Sequence, residues 1–151
     1  MADGHTYAGN PVACAIGLEA IRQTVEADLP ENARVRGERA RRRLEARARE
    51  LPQIGDVRGE GLLVGIEFVA DREARAPFPA KLDVGVEVRK LARSRGLLLR
   101  ASHWFVVFAP PLVTTADELD AMLDILEASI RDVLAAVARR TLVEETRQVA
   151  G

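Results

Sequence analysis

The chain has 151 residues, 48% of them apolar, and its 22 Lys+Arg against 23 Asp+Glu leave a formal charge of −1. A chain of this length buries roughly 70% of its unfolded surface, enough for one core without staples and too little for two domains. The balanced charge removes the long-range field of a dedicated nucleic-acid binder or polybasic membrane protein, and a single cysteine, Cys14, excludes an internal disulfide and a cysteine-rich zinc site.

The opening Met1-Ala2-Asp3-Gly4-His5 carries neither a basic start nor an apolar signal core, and no run approaches the roughly 18 apolar residues of a membrane span. A cytoplasmic protein is expected, with neither membrane nor nucleic acid as a partner. Only Lys81 and Lys90 among the 22 cationic side chains are lysines, so a single arginine carries little information by itself.

Gly4 to Pro11 reads as a loop feeding a helix, with Asn10 able to accept from the first free N–H groups and Pro11 at the first helical position. Cys14, Leu18, Ile21 and Val25 then recur at helical spacing, and Ala13, Ile16 and Ala20 add a second apolar strip. Cys14 on that stripe reads as a small buried hydrophobe. After Asp28-Leu29-Pro30 a second helix is expected from Glu31 to about Glu50, with Ala33, Gly37, Ala40, Leu44 and Ala48 on its apolar stripe. Its arginines 39, 41, 42, 43, 47 and 49 are interleaved with Glu38, Glu45 and Glu50, which is the pattern of a solvated face holding its own i,i+4 pairs.

Asp56 to Val69 reads as one bent strand. Leu62, Val64, Ile66 and Phe68 alternate onto one face, Gly65 and Glu67 onto the other, and the glycines 59, 61 and 65 mark a bulge or a close backbone approach. Residues 70–81 form a surface connection. Val84, Val88 and Leu91 define a short helix stopped by Gly96, followed by strands at Leu97–Arg100 and Trp104–Ala109 joined through Ser102-His103, with Pro110-Pro111 ending the second. Thr115 and Glu118 form a capping box ahead of a helix whose core positions are Leu119, Met122, Leu126, Ile130, Val133 and Val137. Residues 139–151 are polar. The expected fold is α+β: a small sheet of about three mostly antiparallel strands covered by helices and preceded by a long N-terminal helix.

The chemical inventory is thin. His5 and His103 read as turn residues, Cys14 has no base near it in the pattern, and no metal signature or phosphate loop of recognised spacing is present. Thr6, taken alone, closes a turn.

Three blocks carry more. Gly4-His5-Thr6-Tyr7-Ala8-Gly9-Asn10-Pro11-Val12-Ala13-Cys14-Ala15, then Val57-Arg58-Gly59-Glu60-Gly61-Leu62-Leu63-Val64-Gly65-Ile66-Glu67, then Gly96-Leu97-Leu98-Leu99-Arg100 with Ala109-Pro110-Pro111-Leu112, resemble the C-terminal part of class III aminotransferases in order and in spacing. These are pyridoxal-phosphate enzymes of fold type I. The resemblance runs from residue 4 to about residue 138 and implies their small domain. It implies that Thr6, with His5 beside it, binds the cofactor phosphate, commonly across a dimer interface, a role that suits a hydroxyl in a Gly-flanked loop before a helix. It implies that Arg100 pairs with a substrate carboxylate, for which a planar guanidinium is suited. Ser102-His103-Trp104 stands where the family commonly has Gly-Asp, and bulky Trp104 bears on that arginine's mobility.

The same resemblance implies that the Schiff-base lysine, the aspartate at the pyridine nitrogen and the aromatic over the ring belong upstream of the first block. Neither Lys81 nor Lys90 matches that lysine's place, so no residue here is assigned a catalytic role. The expected organisation is residues 1–30 packing on an absent large domain, 31–138 forming the small domain, and 139–151 a polar tail. The expected function is that of an aminotransferase C-terminal segment, transferring an amino group from an amine or amino acid to a 2-oxo acid or aldehyde only with a large domain or full-length subunit as partner, in a homodimeric family. An interaction module that pairs with itself or with a full-length aminotransferase is the alternative, and an Arg-rich nucleic-acid binder a weaker one.

Overall fold

The computed structural model describes residues 4, 6 and 8–149, with side chains as far as residue 140. In chain order the described elements are α1 (Pro11–Glu26), α2 (Leu29–Glu50), β1 (Ile54–Glu60), β2 (Leu63–Asp71), β3 (Ala76–Pro77), a 3-10 turn (Ala80–Leu82), α3 (Val84–Ser94), β4 (Arg100–Ala101), β5 (Phe105–Phe108) and α4 (Ala116–Val149). The class is α+β. The sheet order is β1-β2-β5-β4 with β3 beside β2, and every pairing is antiparallel.

The expected single strand from Asp56 to Val69 is instead a hairpin, and with the two-residue β3 this raises the strand count from about three to five. The chain reverses between the paired residues Glu60 and Leu63, where Gly61 takes a left-handed φ of +51° that a side chain would resist. The alternation holds within β2: Val64, Ile66 and Phe68 are buried, while Leu63 is exposed and Gly65 and Glu67 are half-buried. The strand expected at Leu97–Arg100 forms only over Arg100–Ala101.

Helices cover one face of this sheet. α2 lies on β1, α3 on β4 and β5, and α4 packs across α2 and α3. Leu44, Ile54, Ile66, Phe68, Val88, Phe108, Leu119, Leu123 and Leu126 meet in one apolar cluster. Contact at Gly37 sets where α2 lies, because a Cβ there would overlap the Gly61 carbonyl of the β1–β2 turn. The close approach expected of the glycines is therefore between helix and turn.

Charge fastens α4 to α2. Arg41–Glu45 and Arg42–Glu38 pair within α2 as expected. Arg39 and Arg43 instead reach across to α4, and Arg47 does so while also pairing with Glu50 within α2. Buried Glu127 accepts from Arg43 Nε at 2.6 Å and Arg47 Nε at 2.9 Å, Asp120 accepts from Arg39 Nε at 2.9 Å, and Asp124 pairs with Arg43. The Glu127 carboxylate raises the Arg43 guanidinium above its ordinary value, with partial burial opposing.

The helix ends follow local chemistry. Asn10 Oδ1 accepts from Val12 N and Ala13 N at 3.0 and 3.1 Å. α3 ends in the left-handed motif expected at Gly96 (φ +94°), with Leu97 N donating to Ala92 O and Gly96 N to Arg93 O. Arg72, in the connection after β2, donates to the carbonyls of Ala48 and Leu51 at the end of α2 and of Ile54 at the start of β1. At α4, Glu118 accepts from the Thr115 N–H and hydroxyl, both at 2.9 Å. The helix then continues through the polar residues to Val149.

Helix α1 is the exception to the burial rule. It has no buried residue, and Val12, Ile16, Leu18, Ile21 and Val25 are each 64–72% exposed. Cys14 is exposed with them, against the expectation of a buried position, because the apolar strips of α1 have no covering layer among the described residues. Among the described elements, the neighbour that α1 engages is α2.

Three outcomes follow from this packing. Gly37→Ala should lower stability by about 1–3 kcal/mol, read as a fall in the denaturation midpoint at unchanged slope, because two backbones must separate. In monomeric protein, amide exchange over residues 14–26 should run well ahead of that over residues 119–137. The third concerns pH. The Thr115 N–H, then its hydroxyl, hold the Glu118 carboxyl below the ordinary carboxylate range. A lowered folded value means a contribution fully present above that range and lost as pH falls through the folded value. The stability difference between the wild type and Glu118→Gln should therefore shrink on acidification below about pH 4.5, as denaturant titrations at stepped pH would show.

Candidate functional site

Thr6 lies in an exposed turn ahead of α1, between Gly4 and a second turn in which Gly9 is left-handed (φ +75°). His5, expected beside it at a cofactor phosphate, lies outside the described residues. The loop offers the right donors in kind for a phosphate oxygen, a hydroxyl and turn N–H groups at the positive end of a helix. Asn10 takes the N–H groups of Val12, Ala13 and Cys14 through its side chain and carbonyl. No lysine or arginine stands between residues 4 and 10. The donor set therefore fits one edge of a phosphate, and the remaining contacts and the neutralising charge must come from elsewhere.

Arg100 lies on the sheet face that the helices leave uncovered. Residues directly opposed in antiparallel strands point to the same face. The register Arg58↔Gly65, Gly65↔Val107 and Val107↔Arg100 thus places Arg58, Gly65, Val107 and Arg100 in one row across four strands. The space over Gly65 is open, since a Cβ there would meet only the Arg58 carbonyl, at 3.7 Å. The two cations of the row differ. Arg58 is held by Asp56 at 2.6 Å and Glu67 at 2.8 Å, which raise its guanidinium above the ordinary value. Arg100 is exposed, and no carboxylate pairs with it among the described residues. An unpaired guanidinium on an open face is free to take an incoming carboxylate.

Thr6 rides on the loop before α1, whose packing is to α2, while Arg100 rides on β4, whose packing is to β5 and α3. No hydrogen bond or ion pair joins them among the described residues. A polar depression on the open face is lined by Asp56, Glu67, Arg72 and Arg75, and an apolar one beside the β1–β2 turn by Ala33, Leu62, Leu63, Pro110 and Leu112. Neither includes Thr6 or Arg100 among its described lining residues. Lys90 is exposed and paired with Glu87 at 2.7 Å, and Lys81 is exposed on the 3-10 turn.

Sequence reasoning missed the surroundings of Arg100. His103, read as a turn residue, sits in the β4–β5 turn with its Nδ1 against Asp83 Oδ1 and its ring 5.7 Å from that of Trp104. The signal available was an Asp-Val-Gly at the start of α3, where the glycine implies that another backbone lies close.

An antiparallel sheet with one open face that carries Arg100, preceded by an apolar helix uncovered among the described residues, is the arrangement of a particular protein family. Comparisons with known proteins say which. The family model for aminotransferase class-III matches residues 1–130, and the chain belongs to that family. It is 41% identical over 138 residues to an uncharacterized aminotransferase of Sinorhizobium fredii, covering 90% of this chain and 30% of that protein. Among solved structures it resembles a thermostable (S)-enantioselective omega-transaminase from Thermomicrobium roseum, with a TM-score of 0.82 and 34% identity over 89% of this chain and 30% of that one. It also resembles a PLP-bound aminotransferase mutant from Vibrio fluvialis, with a TM-score of 0.83 and 35% identity over 91% of this chain and 30% of that one. The chain spans about 30% of the length of these relatives. Among the described residues no helix is long and apolar enough to cross a membrane.

Proposed function

We propose that the chain works as the C-terminal portion of a pyridoxal-phosphate-dependent aminotransferase, comprising the small domain (31–138), the loop and helix that dock it (1–30) and a polar end (139–151), in a cytoplasmic homodimer. Amino-group transfer from an amine or amino acid to a 2-oxo acid or aldehyde then requires a large domain that brings the lysine. The observation that carries this reading is α1: five large apolar side chains on both of its strips stand in solvent at the head of a family match covering about 30% of its relatives. Burying such surface gains roughly 25 cal/mol per Å², and the part of the fold that the relatives have beyond the matched 30% is what would cover it.

Pyridoxal phosphate, when bound, supplies the electron-withdrawing ring that such a reaction needs. The residues of this chain bind and orient. The Thr6 hydroxyl donates to a phosphate oxygen with His5 beside it, and the loop is ordered when α1 is covered. The Arg100 guanidinium pairs with the carboxylate of the substrate and turns its amino group toward the reacting centre. Lys81 lies on its 3-10 turn and Lys90 is paired with Glu87, and neither matches the place of the family's Schiff-base lysine, which is why the catalytic amine is assigned to the partner.

An interaction module without catalytic duty is the second reading, and it rests on the same exposed helix. A nucleic-acid role is disfavoured, since Arg39, Arg43 and Arg47 are spent on α4.

The chain alone, mixed with pyridoxal phosphate and reduced with borohydride, should carry no stoichiometric label on Lys81 or Lys90. Supplied with a large-domain chain it should transaminate. There, Thr6→Ala should weaken cofactor retention by about 1.5–3 kcal/mol, the worth of a hydrogen bond to a charged acceptor. Arg100→Ala should raise KM for carboxylate-bearing substrates and leave simple amines unaffected. Binding to the large-domain chain without turnover would favour the interaction module.

A further inference from the structure

Helix α3 begins behind Asp83, whose backbone is left-handed (φ 48°, ψ 39°). An aspartate before the first turn ordinarily accepts from the free N–H groups of its own helix. Asp83 makes no such bond, and its Oδ1 meets Nδ1 of His103 in the β4–β5 turn. The helix end is capped from outside instead: the Gly85 N–H donates to the His103 carbonyl at 3.0 Å. Helix and hairpin thus exchange partners, a side chain of the helix end holding the turn and a carbonyl of the turn capping the helix. Glycine at 85 is a condition of that contact, since a Cβ there would overlap the carbonyl oxygens of Ser102 and Phe105.

The hairpin needs such an anchor. β4 is an edge strand of two residues whose pairing to β5 is limited to Arg100↔Val107 and Ala101↔Val106, and the turn is closed by Ser102 N donating to Phe105 O at 2.9 Å. So short an edge holds its backbone weakly by itself. Arg100 is three residues from His103, and no ion pair holds its guanidinium among the described residues.

We propose that Asp83 and His103 are positioning residues for Arg100, clamping the β4–β5 hairpin to the start of α3 so that the guanidinium meets a substrate carboxylate from a fixed backbone. The inference rests on the carboxylate-binding reading of Arg100. A loosened hairpin lowers the fraction of molecules with the guanidinium in place, and apparent affinity falls by that fraction. Substrates without a carboxylate do not sense the change.

The clamp is testable in the full chain. His103→Ala, and Asp83→Gly, in which glycine takes the left-handed backbone freely, should speed the anisotropy decay of Trp104, the only tryptophan, and increase backbone 15N disorder at Arg100 and Ala101. Asp83→Asn keeps an oxygen acceptor and tolerates the backbone, so it should behave as wild type. In the enzyme assembled with a large-domain chain, His103→Ala and Asp83→Gly should raise KM for a carboxylate-bearing substrate about threefold, the scale of one exposed charged contact. KM for a simple amine, and kcat for both, should hold. Unchanged hairpin dynamics in both removals overturn the proposal, as does an Asp83→Asn variant as loose as Asp83→Gly. A loosened hairpin without a KM split, in an enzyme where Arg100→Ala does produce one, overturns it too. If Arg100→Ala itself produces no split, the carboxylate reading of Arg100 fails, and the clamp loses its role with it.

Discussion

Burial on one face only is the constraint from which the rest of this structure follows. β2 runs through the middle of the sheet with Val64, Ile66 and Phe68 turned toward the helices and Gly65 and Glu67 turned away, and β5 repeats the pattern with Val106 and Phe108 against Phe105 and Val107. Three helices are needed to close the apolar side. α2 is set against the β1–β2 turn by the contact of Gly37 with Gly61, α3 against the β4–β5 turn by Gly85, and α4 ties the two together through its apolar stripe and the pairs centred on Glu127. Glu127 is a high-stakes residue. A buried carboxylate holding two arginines specifies the seat of α4 on α2, and with its partners removed it would be a charge without compensation.

The uncovered face acquires its character by default. A residue there is not asked to pack, so the row Arg58, Gly65, Val107, Arg100 is set by the same register that fills the core. Shifting β5 by one residue would exchange Val106 for Val107 in the core and carry Arg100 with it. The position of Arg100 and the integrity of the core are therefore one geometric fact. That coupling places a binding group on rigid elements, although β4 itself is short.

Much of this was legible in the residues. The capping box at Thr115 and Glu118, the Asn10 cap, the left-handed stop at Gly96 and the faces of β2 are local devices, and local devices can be read from adjacent residues. What escaped was decided at a distance. The β1–β2 hairpin hid inside one apolar run because Gly61-Leu62 lacks the usual polar turn pair, and Leu62 is buried like a strand residue. Cys14 looked like a core residue because its helical neighbours are apolar, yet the layer that would bury it is not supplied by these residues. On α2 the charge pattern predicted pairs within the helix, and Arg41, Arg42 and Arg47 make them. The arginines at 39, 43 and 47 found carboxylates about 80 positions away, which no window on the sequence contains. His103 sits in a turn as expected, but its contact with Asp83 escaped for the same reason, the partner lying on another element.

The candidate site divides along the same line. The half proposed to bind a carboxylate rests on the sheet, where register and the α3 contact hold Arg100. The half proposed to bind phosphate precedes a helix with no buried residue, so how firmly that helix is held depends on whatever covers α1. Each large side chain of α1 that passes from solvent into a packed interface gains about 1.5–3 kcal/mol at full burial, and part of that gain goes into ordering the segment. On the proposed role of Thr6, docking and cofactor binding are then linked: a partner that seats α1 raises the affinity for phosphate, and bound phosphate must raise the affinity for the partner by the same factor. Arg100 stands outside this linkage, because the core that fixes its strand is complete without α1.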